Sequence, residues 1–260
     1  MLIQERYTRI MELLKEYQCI SVHRLAKELF ASEATVRRDL KFLSDAGLIR
    51  RTFGGAVLIE GMHADIPLAV RDEKHTREKE IIAALAAGLI REGDVIIIDS
   101  SSTCFKLVPL LENSANTVIT NSPKVALALG QIPKLKVYST GGYLRENCIS
   151  YVGSAAENMM RDCNCDTMFF SSAGISSGNQ VTDTNEEEAC LKKVMIQRSK
   201  KVVAMHDSSK FEKTAFSNIC SLEDIDVLVT DRYPGDHWAK LLDEFHVELL
   251  CPGKKNPRGL

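Results

Sequence analysis

Ser32–Leu40 reads SEATVRRDL. Ser32 is a good helix N-cap, and a short polar first turn follows it. Val36, Leu40 and Leu43 recur at spacings of four and three, so they share one face and pack inward. Ser32 at the cap and Thr35, Arg37, Arg38 and Lys41 beyond it are left on or near the outward face. A short helix with a buried stripe and a cationic face suits the DNA major groove. Paired arginines also stand on ordinary solvated helices, so the flanking sequence decides the matter.

Upstream, Ile3, Tyr7, Ile10, Leu13 and Leu14 follow helical spacing and predict a first helix over Gln4–Glu16. Ser21 caps a second, Val22–Leu29, with Val22, Leu25, Ala26 and Leu29 inward. The turn Phe30–Ser32 leads into the third. Helix, short turn, helix, with arginines on the second member, is the helix-turn-helix arrangement. Downstream, Gly47 after Ala46 can supply a left-handed helix terminus. LIRRTFGGAVLI then alternates apolar and polar residues around Gly54-Gly55. It predicts a two-stranded wing carrying Arg50, Arg51 and Thr52.

The 260 residues are 45% hydrophobic and 26% charged, a globular composition with room for two domains. The net charge of −2 is uneven: residues 1–58 hold 10 Lys/Arg against 7 Asp/Glu, and the remainder is acidic. Any nucleic-acid contact therefore belongs to the head. No apolar run approaches a membrane span, and the charged, amphipathic N-terminus is unlike a signal peptide. The eight cysteines are scattered, and Cys163 and Cys165 have no second pair to complete a zinc site. Reduced thiols in a cytoplasmic protein, with no metal and no cofactor, are expected.

After residue 76, strands and helices alternate. REKEIIAALAAGLIREG reads as a helix of about four turns, and VIIIDS as a buried parallel strand. Helix Thr103–Leu111, strand TVITN and helix Ser122–Leu129 follow. VYSTGG, DTMFFSSAGI, KVVAMHDSS and IDVLVTD read as further strands, with a helix over Asn185–Ser199. The pattern predicts a mostly parallel, doubly wound α/β sheet, which binds ligands at the carboxyl ends of its strands. Asp99-Ser100-Ser101-Ser102-Thr103 is the first such end. Hydroxyls and N–H groups at a helix N-terminus can cradle a phosphate. Read alone, Ser102 or Thr103 is an ordinary cap. Thr120-Asn121-Ser122, Ser139–Tyr143 and Ser171–Gly174 are similar edges, with room and donors for a polyol. Of six histidines only His206, at a strand end beside Asp207, stands out, and it reads best as packed.

The head resembles that of the DeoR-type bacterial transcription regulators. Their signature runs from an arginine through two aliphatics to a Ser-x-x-Thr-aliphatic-Arg-Arg-Asp-aliphatic block. Arg6, Ile10, Leu14, Ser32, Thr35, Val36, Arg37, Arg38, Asp39 and Leu40 fill each place. RTFGGA resembles the family's wing, RxxGGA. Gln18-Cys19 departs from it, since many members carry a glycine between the first two helices. Thr35, Arg37 and Arg38 are expected to reach base edges or phosphates, and Arg50 and Arg51 the adjacent backbone. A solvated role stands beside this for Arg51. Asp39 is expected to orient an arginine or pair within the domain, because phosphates repel a carboxylate.

The body resembles the DeoR-type sensor domain in its D-x-S/G-S/T-T loop, TNS, TGG, YVG, CDTMFFSSAGI, NEEEACLKK and DSSKF segments. That domain is similar in fold to ribose-5-phosphate isomerase. By the resemblance, Asp99 and Ser100–Thr103 form the phosphate loop, Ser100, Ser101, Ser102 and Thr103 taking the phosphate. Thr120, Asn121, Gly141, Gly142, Gly174 and Lys192 line the sugar. Ser101 stands where many members have glycine, which would permit a positive φ. Lys192 also reads as a solvated helix lysine, and Lys210 as structural or as reaching the ligand. The isomerases carry a base in an Asp-Gly-Ala-Asp loop; the matching Ser171–Ile175 has no acid, so proton transfer lacks an agent and no catalytic residue is expected. The three glutamates Glu186–Glu188 read as complements of a helix dipole.

The expected layout is a winged helix-turn-helix over 1–58, a linker over 59–76, an α/β sensor and oligomerisation domain over 77–252 and a tail over 253–260. Arg71, in a Pro67–Arg71 segment also shared with the family, reads as structural. The expected function is a repressor of a sugar or polyol operon that binds double-stranded operator DNA as a homodimer or homotetramer. A phosphorylated sugar would control it by moving the recognition helix as a unit through the joint. The rivals are a phosphosugar isomerase with an accessory DNA-binding head and a DNA binder whose body only oligomerises.

Overall fold

The computed structural model describes residues 3–45, 48–58 and 67–253. The Ala46-Gly47 turn, residues 59–66 of the joint and residues 254–260 of the tail lie outside the described residues. The chain divides into two compact units, Met1–Lys74 and His75–Leu260.

The first unit runs α1 Ile3–Tyr17, β1 Cys19–Ser21, α2 Val22–Glu28, α3 Glu33–Asp45, β2 Ile49–Thr52, β3 Gly55–Leu58 and α4 Leu68–Glu73. Ser21 caps α2 by accepting from Arg24 N, and Ser32 caps α3 by accepting from Thr35 N. Ile10, Leu13, Leu14, Leu25, Val36, Leu40 and Leu43 are buried together. Each such side chain contributes about 1.5–3 kcal/mol over exposure. Ile3, by contrast, is 48% exposed in the first turn of α1.

Two features differ from expectation. The wing has three strands, ordered β1-β3-β2, instead of two. Gln18, at φ +59°, turns the chain directly from α1 into β1. That left-handed backbone is where glycine is at ease, which accounts for the glycine in the family pattern. Gly55 lets β3 pair closely with β1, since a Cβ there would lie 2.3 Å from Ile20 O. The second difference is in the joint. Within the stretch read as a linker over 59–76, Pro67 starts a helix, as proline can where no N–H is needed. The resulting α4 packs on α1 and buries Val70 in the core of the first unit.

The second unit runs α5 Thr76–Ala87, β4 Val95–Ile98, a 3-10 segment Cys104–Leu111, β5 Thr117–Thr120, α6 Pro123–Leu129 and β6 Lys136–Ser139. A hairpin follows, β7 Tyr143–Arg145 and β8 Ser150–Val152, then α7 Ser154–Arg161 and β9 Cys165–Phe170. Next come β10 Gly174–Ser176, β11 Gln180–Asp183, α8 Glu186–Gln197 and β12 Ser199–Met205. β13 Ser217–Cys220, β14 Val227–Val229, α9 Asp236–Glu244 and β15 Glu248–Leu250 complete it. α5 stops at Gly88, short of the four turns expected. Cys104–Leu111 is 3-10, with Pro109 inside it lacking a donor.

Among the described residues the main sheet has seven parallel strands in the order β15-β14-β12-β9-β4-β5-β6. Alternate side chains feed two cores, as the period of a strand requires. Ile97, Met168, Phe170 and Ala204 meet Met160 of α7, Leu191 of α8 and Trp238 of α9. Ile96, Ile98, Phe169 and Val203 meet Ile82 of α5, Leu107 and Val125 of α6. Helices on both faces make the sheet doubly wound. Strand order reverses between β4 and β9. The β7–β8 hairpin and an antiparallel sheet, β10-β11-β13, are additions that the sequence did not signal. Strands of three or four residues are too short to show a period.

Candidate functional site

On the first unit, Ser32, Arg37, Arg38, Lys41, Arg50, Arg51 and Thr52 are exposed and Thr35 is half-buried. Ser32 and Thr35 hydroxyls are bonded to each other at 2.9 Å. Arg37 Nη2 donates to Glu33 Oε2 at 2.7 Å, one turn back along α3. Asp39 faces the other way: Arg6 Nε donates to its Oδ2 at 2.7 Å in the core. Phe53, at the wing's reversal, has no side-chain burial at all, and neither does Phe30 to any extent in the turn before α3.

In the second unit the polar strand ends meet where the strand order reverses. Asp99, just past β4, is fully buried. Its Oδ1 accepts from Ser101 N at 2.9 Å and its Oδ2 from Ser171 N, just past β9, at 3.1 Å. Lys192 of α8 reaches the same point. Its Nζ donates to Ser171 O at 2.8 Å and Asp183 Oδ2 at 2.6 Å, and lies 3.5 Å from Asp99. Burial opposes its charge, but Asp183, Asp99 and Glu188 outweigh that and raise its pKa above the ordinary lysine value. Lys192 is therefore no solvated helix lysine. With Asp99 it clamps the two strand ends together, and both are committed to holding the loop.

Ser100–Thr103 are all buried or nearly so. Ser101, not Ser102 or Thr103, caps the 3-10 segment, accepting from Cys104 N at 3.1 Å. Ser101 is outside the left-handed region, so serine in place of glycine leaves the loop unstrained. Thr120 is buried and its hydroxyl accepts from Ser122 N. Asn121 Nδ2 donates to Ser100 Oγ at 3.4 Å and to Tyr151 O at 3.2 Å. Gly142 and Gly174 are used by neighbouring backbone: a Cβ would lie 2.6 Å from Val152 O and 2.4 Å from Lys213 O. Gly141, at φ +60°, has open space where a Cβ would be. Lys210 lies next along from His206 and Asp207, close enough to pull down the pKa of both.

Side chains outside the expected site stand here too. His206 is fully buried, with Nε2 at 2.6 Å from Ser172 Oγ. The Ser172 hydroxyl also lies 3.1 Å from Gly174 O, so it bridges the ring and the backbone. Burial, then Lys210, lowers the His206 pKa to about 3, and the ring is neutral. Arg145 and Ser150, opposite each other in the hairpin, both donate to Glu188 Oε1, the arginine at 3.2 Å. Burial pushes the Glu188 carboxyl up against the pull of Lys192 and Ser150. Asn121 Oδ1, Glu188 Oε2 and Asp207 Oδ2 are buried acceptors that meet no donor among the described residues, and His206 Nδ1 is buried there without a partner. A separate shallow groove, lined by Glu186, Cys190, Lys193, Phe216 and Asn218, takes in none of the expected residues. Among the described residues the cysteines are free thiols and no group of three His, Cys, Asp or Glu side chains could hold a metal.

Residues 6–61 match the DeoR-like helix-turn-helix domain, and residues 74–232 the DeoR C terminal sensor domain. The chain belongs to the DeoR family of transcription regulators. The uncharacterized HTH-type transcriptional regulator YulB of Bacillus subtilis is 38% identical over 96% of this chain and 97% of its own. The transcriptional repressor AccR of Agrobacterium fabrum is 35% identical, covering 88% and 89%. The repressor GlcR of B. subtilis is also 35% identical, covering 95% of each. Among solved structures, ribose-5-phosphate isomerase A of Methanocaldococcus jannaschii is similar at 15% identity and a TM-score of 0.39, covering 51% of this chain and 53% of that one. As a DeoR-type protein the chain is a DNA-binding regulator with a sensor domain, not an enzyme. No helix among the described residues is long and apolar enough to cross a membrane.

Proposed function

We propose that this chain represses an operon of sugar or polyol metabolism in the cytoplasm. Thr35, Arg37, Arg38 and Lys41 of α3, with Arg50, Arg51 and Thr52 of the wing, contact double-stranded operator DNA. The exposure of all of these but the half-buried Thr35, around one capped helix and one wing, supports this. Paired half-sites call for a homodimer or homotetramer. The relatives AccR and GlcR, named repressors, support repression.

The effector is a phosphorylated sugar held at the carboxyl edge of the parallel sheet. The observation that carries this is the Asp99–Ser171 bond across the strand-order reversal, with Lys192 clamping both ends. A crevice at that reversal is where doubly wound sheets hold ligands. The bond fixes Ser100–Thr103 beside it, with their hydroxyls and amides grouped for a phosphate. Thr120, Asn121, Gly141, Gly142 and Gly174 stand around the sugar, and Lys210 at the rim. Control requires that the effector bind the DNA-competent and incompetent states with different affinity.

Melting temperature against a panel of phosphosugars tests the site, and a gel shift with the upstream region of the neighbouring genes tests the regulator. A compound that raises the melting temperature and changes the gel shift supports the reading. A panel without any shift at millimolar concentration leaves a body that only oligomerises.

A further inference from the structure

Glu188 does not behave as its neighbours in the EEE run do. Glu186 and Glu187 are exposed in the first turn of α8, as carboxylates serving a helix dipole should be. Glu188 is 5% exposed. Its Oε1 takes both Arg145 and Ser150, while its Oε2 is buried and meets no donor among the described residues. A buried acceptor left unmet is costly, the more so when charged.

Its place in the fold links it to the phosphate loop from two sides. Ser150 is followed by Tyr151, whose N–H donates to Asn121 O at 2.7 Å. Asn121 in turn donates to Ser100, and its own Oδ1 is a second buried acceptor without a donor. On the other side, one turn of α8 separates Glu188 from Lys192, which reaches Asp99. Asn121 is thus one hydrogen bond from Ser100, and Glu188 is joined to Asn121 through the Ser150–Tyr151 segment. The local charge is also one-sided. Asp99, Asp183 and Glu188 stand against Lys192 and Arg145, and Glu187 lies 3.9 Å from Arg145.

Building on the effector reading above, we propose that Asn121 Oδ1 and Glu188 Oε2 accept hydroxyl protons from the effector at the end remote from its phosphate, so that the site selects phosphorylated sugars and polyols over phosphorylated sugar acids. A hydroxyl supplies the donor both atoms lack. A carboxylate at the same carbon has no proton to give at neutral pH and meets like charge.

Matched pairs of three to six carbons test this in the full chain by melting-temperature titration. sn-Glycerol 1-phosphate against 3-phospho-D-glycerate and D-glucitol 6-phosphate against 6-phospho-D-gluconate are the end members, differing only in CH2OH or COO− at one terminus. In the wild type the polyol of the fitting pair is expected to act at about tenfold lower concentration than its acid, or less. Glu188→Gln, which can donate as well as accept, is expected to erase most of that preference. Equal action of polyol and acid in the wild type overturns the inference while leaving the effector site standing, and this comparison needs no variant. Absence of a shift with any pair overturns the effector site itself, and the inference with it.

Discussion

Arg6 and Asp39 form a two-pronged ion pair in the core of the first unit, Nε to Oδ2 at 2.7 Å and Nη2 to Oδ1 at 3.1 Å. The pair ties α1 to α3, and Asp39 is 1% exposed. Removing one partner of a buried pair leaves an uncompensated charge, at about 3–5 kcal/mol. Asp39→Ala is expected to lose about that much in urea unfolding. Arg6→Met with Asp39→Leu should recover much of it, since apolar replacement of both partners is often neutral. A single variant as stable as the wild type would remove the pair from the fold's supports.

Arg37 is held in the free protein by Glu33, but an exposed pair one turn apart is worth only about 0.3–0.5 kcal/mol. A base contact is worth about 1–3 kcal/mol, so DNA wins the competition for the guanidinium. Arg37→Ala is expected to weaken operator binding about tenfold or more. Glu33→Gln should strengthen it slightly. An unchanged gel-shift titration for Arg37→Ala would sink the assignment.

His206 makes stability depend on pH. Its pKa of about 3 in the fold lies below the ordinary 6.5, so between these values the unfolded chain binds a proton that the folded chain refuses. Stability from the neutral ring is therefore complete above pH 6.5 and is lost as pH falls toward 3. One such proton gives a slope of up to about 1.4 kcal/mol per pH unit. Asp207, also lowered, acts in the same direction at lower pH, and Glu188, raised, acts oppositely. Comparison with His206→Asn isolates the histidine: its melting temperature should fall less steeply than the wild type's from about pH 7 to 5. Parallel curves would mean the ring takes up its proton in the fold.

Phe30 is 96% exposed and sits at φ +49°, where a residue with a bulky Cβ substituent is strained. Asparagine tolerates that backbone. Phe30→Asn is expected to stabilise the fold by about 0.5–1 kcal/mol, read as a higher melting temperature. A lower one would show that the ring is doing something for the fold that its exposure conceals.

Much of this was legible along the chain because the signals are local. Val36, Leu40 and Leu43 carry a helical period, Ser32 a cap, and VIIIDS a buried strand. Asp39 was legible as a pairing residue because a carboxylate on a DNA-facing helix needs a reason. The helix after Pro67 was hidden inside the stretch read as a linker, since proline can break a helix or begin one. Glu188 was hidden, because three glutamates in a row look alike until one of them is buried.

The sequence by itself determined the family, the Ser32-capped helix and the alternation that makes a doubly wound sheet. The helix and the alternation follow from spacing along the chain, and the family from the motifs it resembles. Only the tertiary structure decided what the polar strand ends do. Asp99, Ser171, Asp183 and Lys192 lie far apart along the chain and meet only where strand order reverses. A hydrogen bond depends on distances of a few tenths of an ångström between such residues, and no pattern along one strand encodes them.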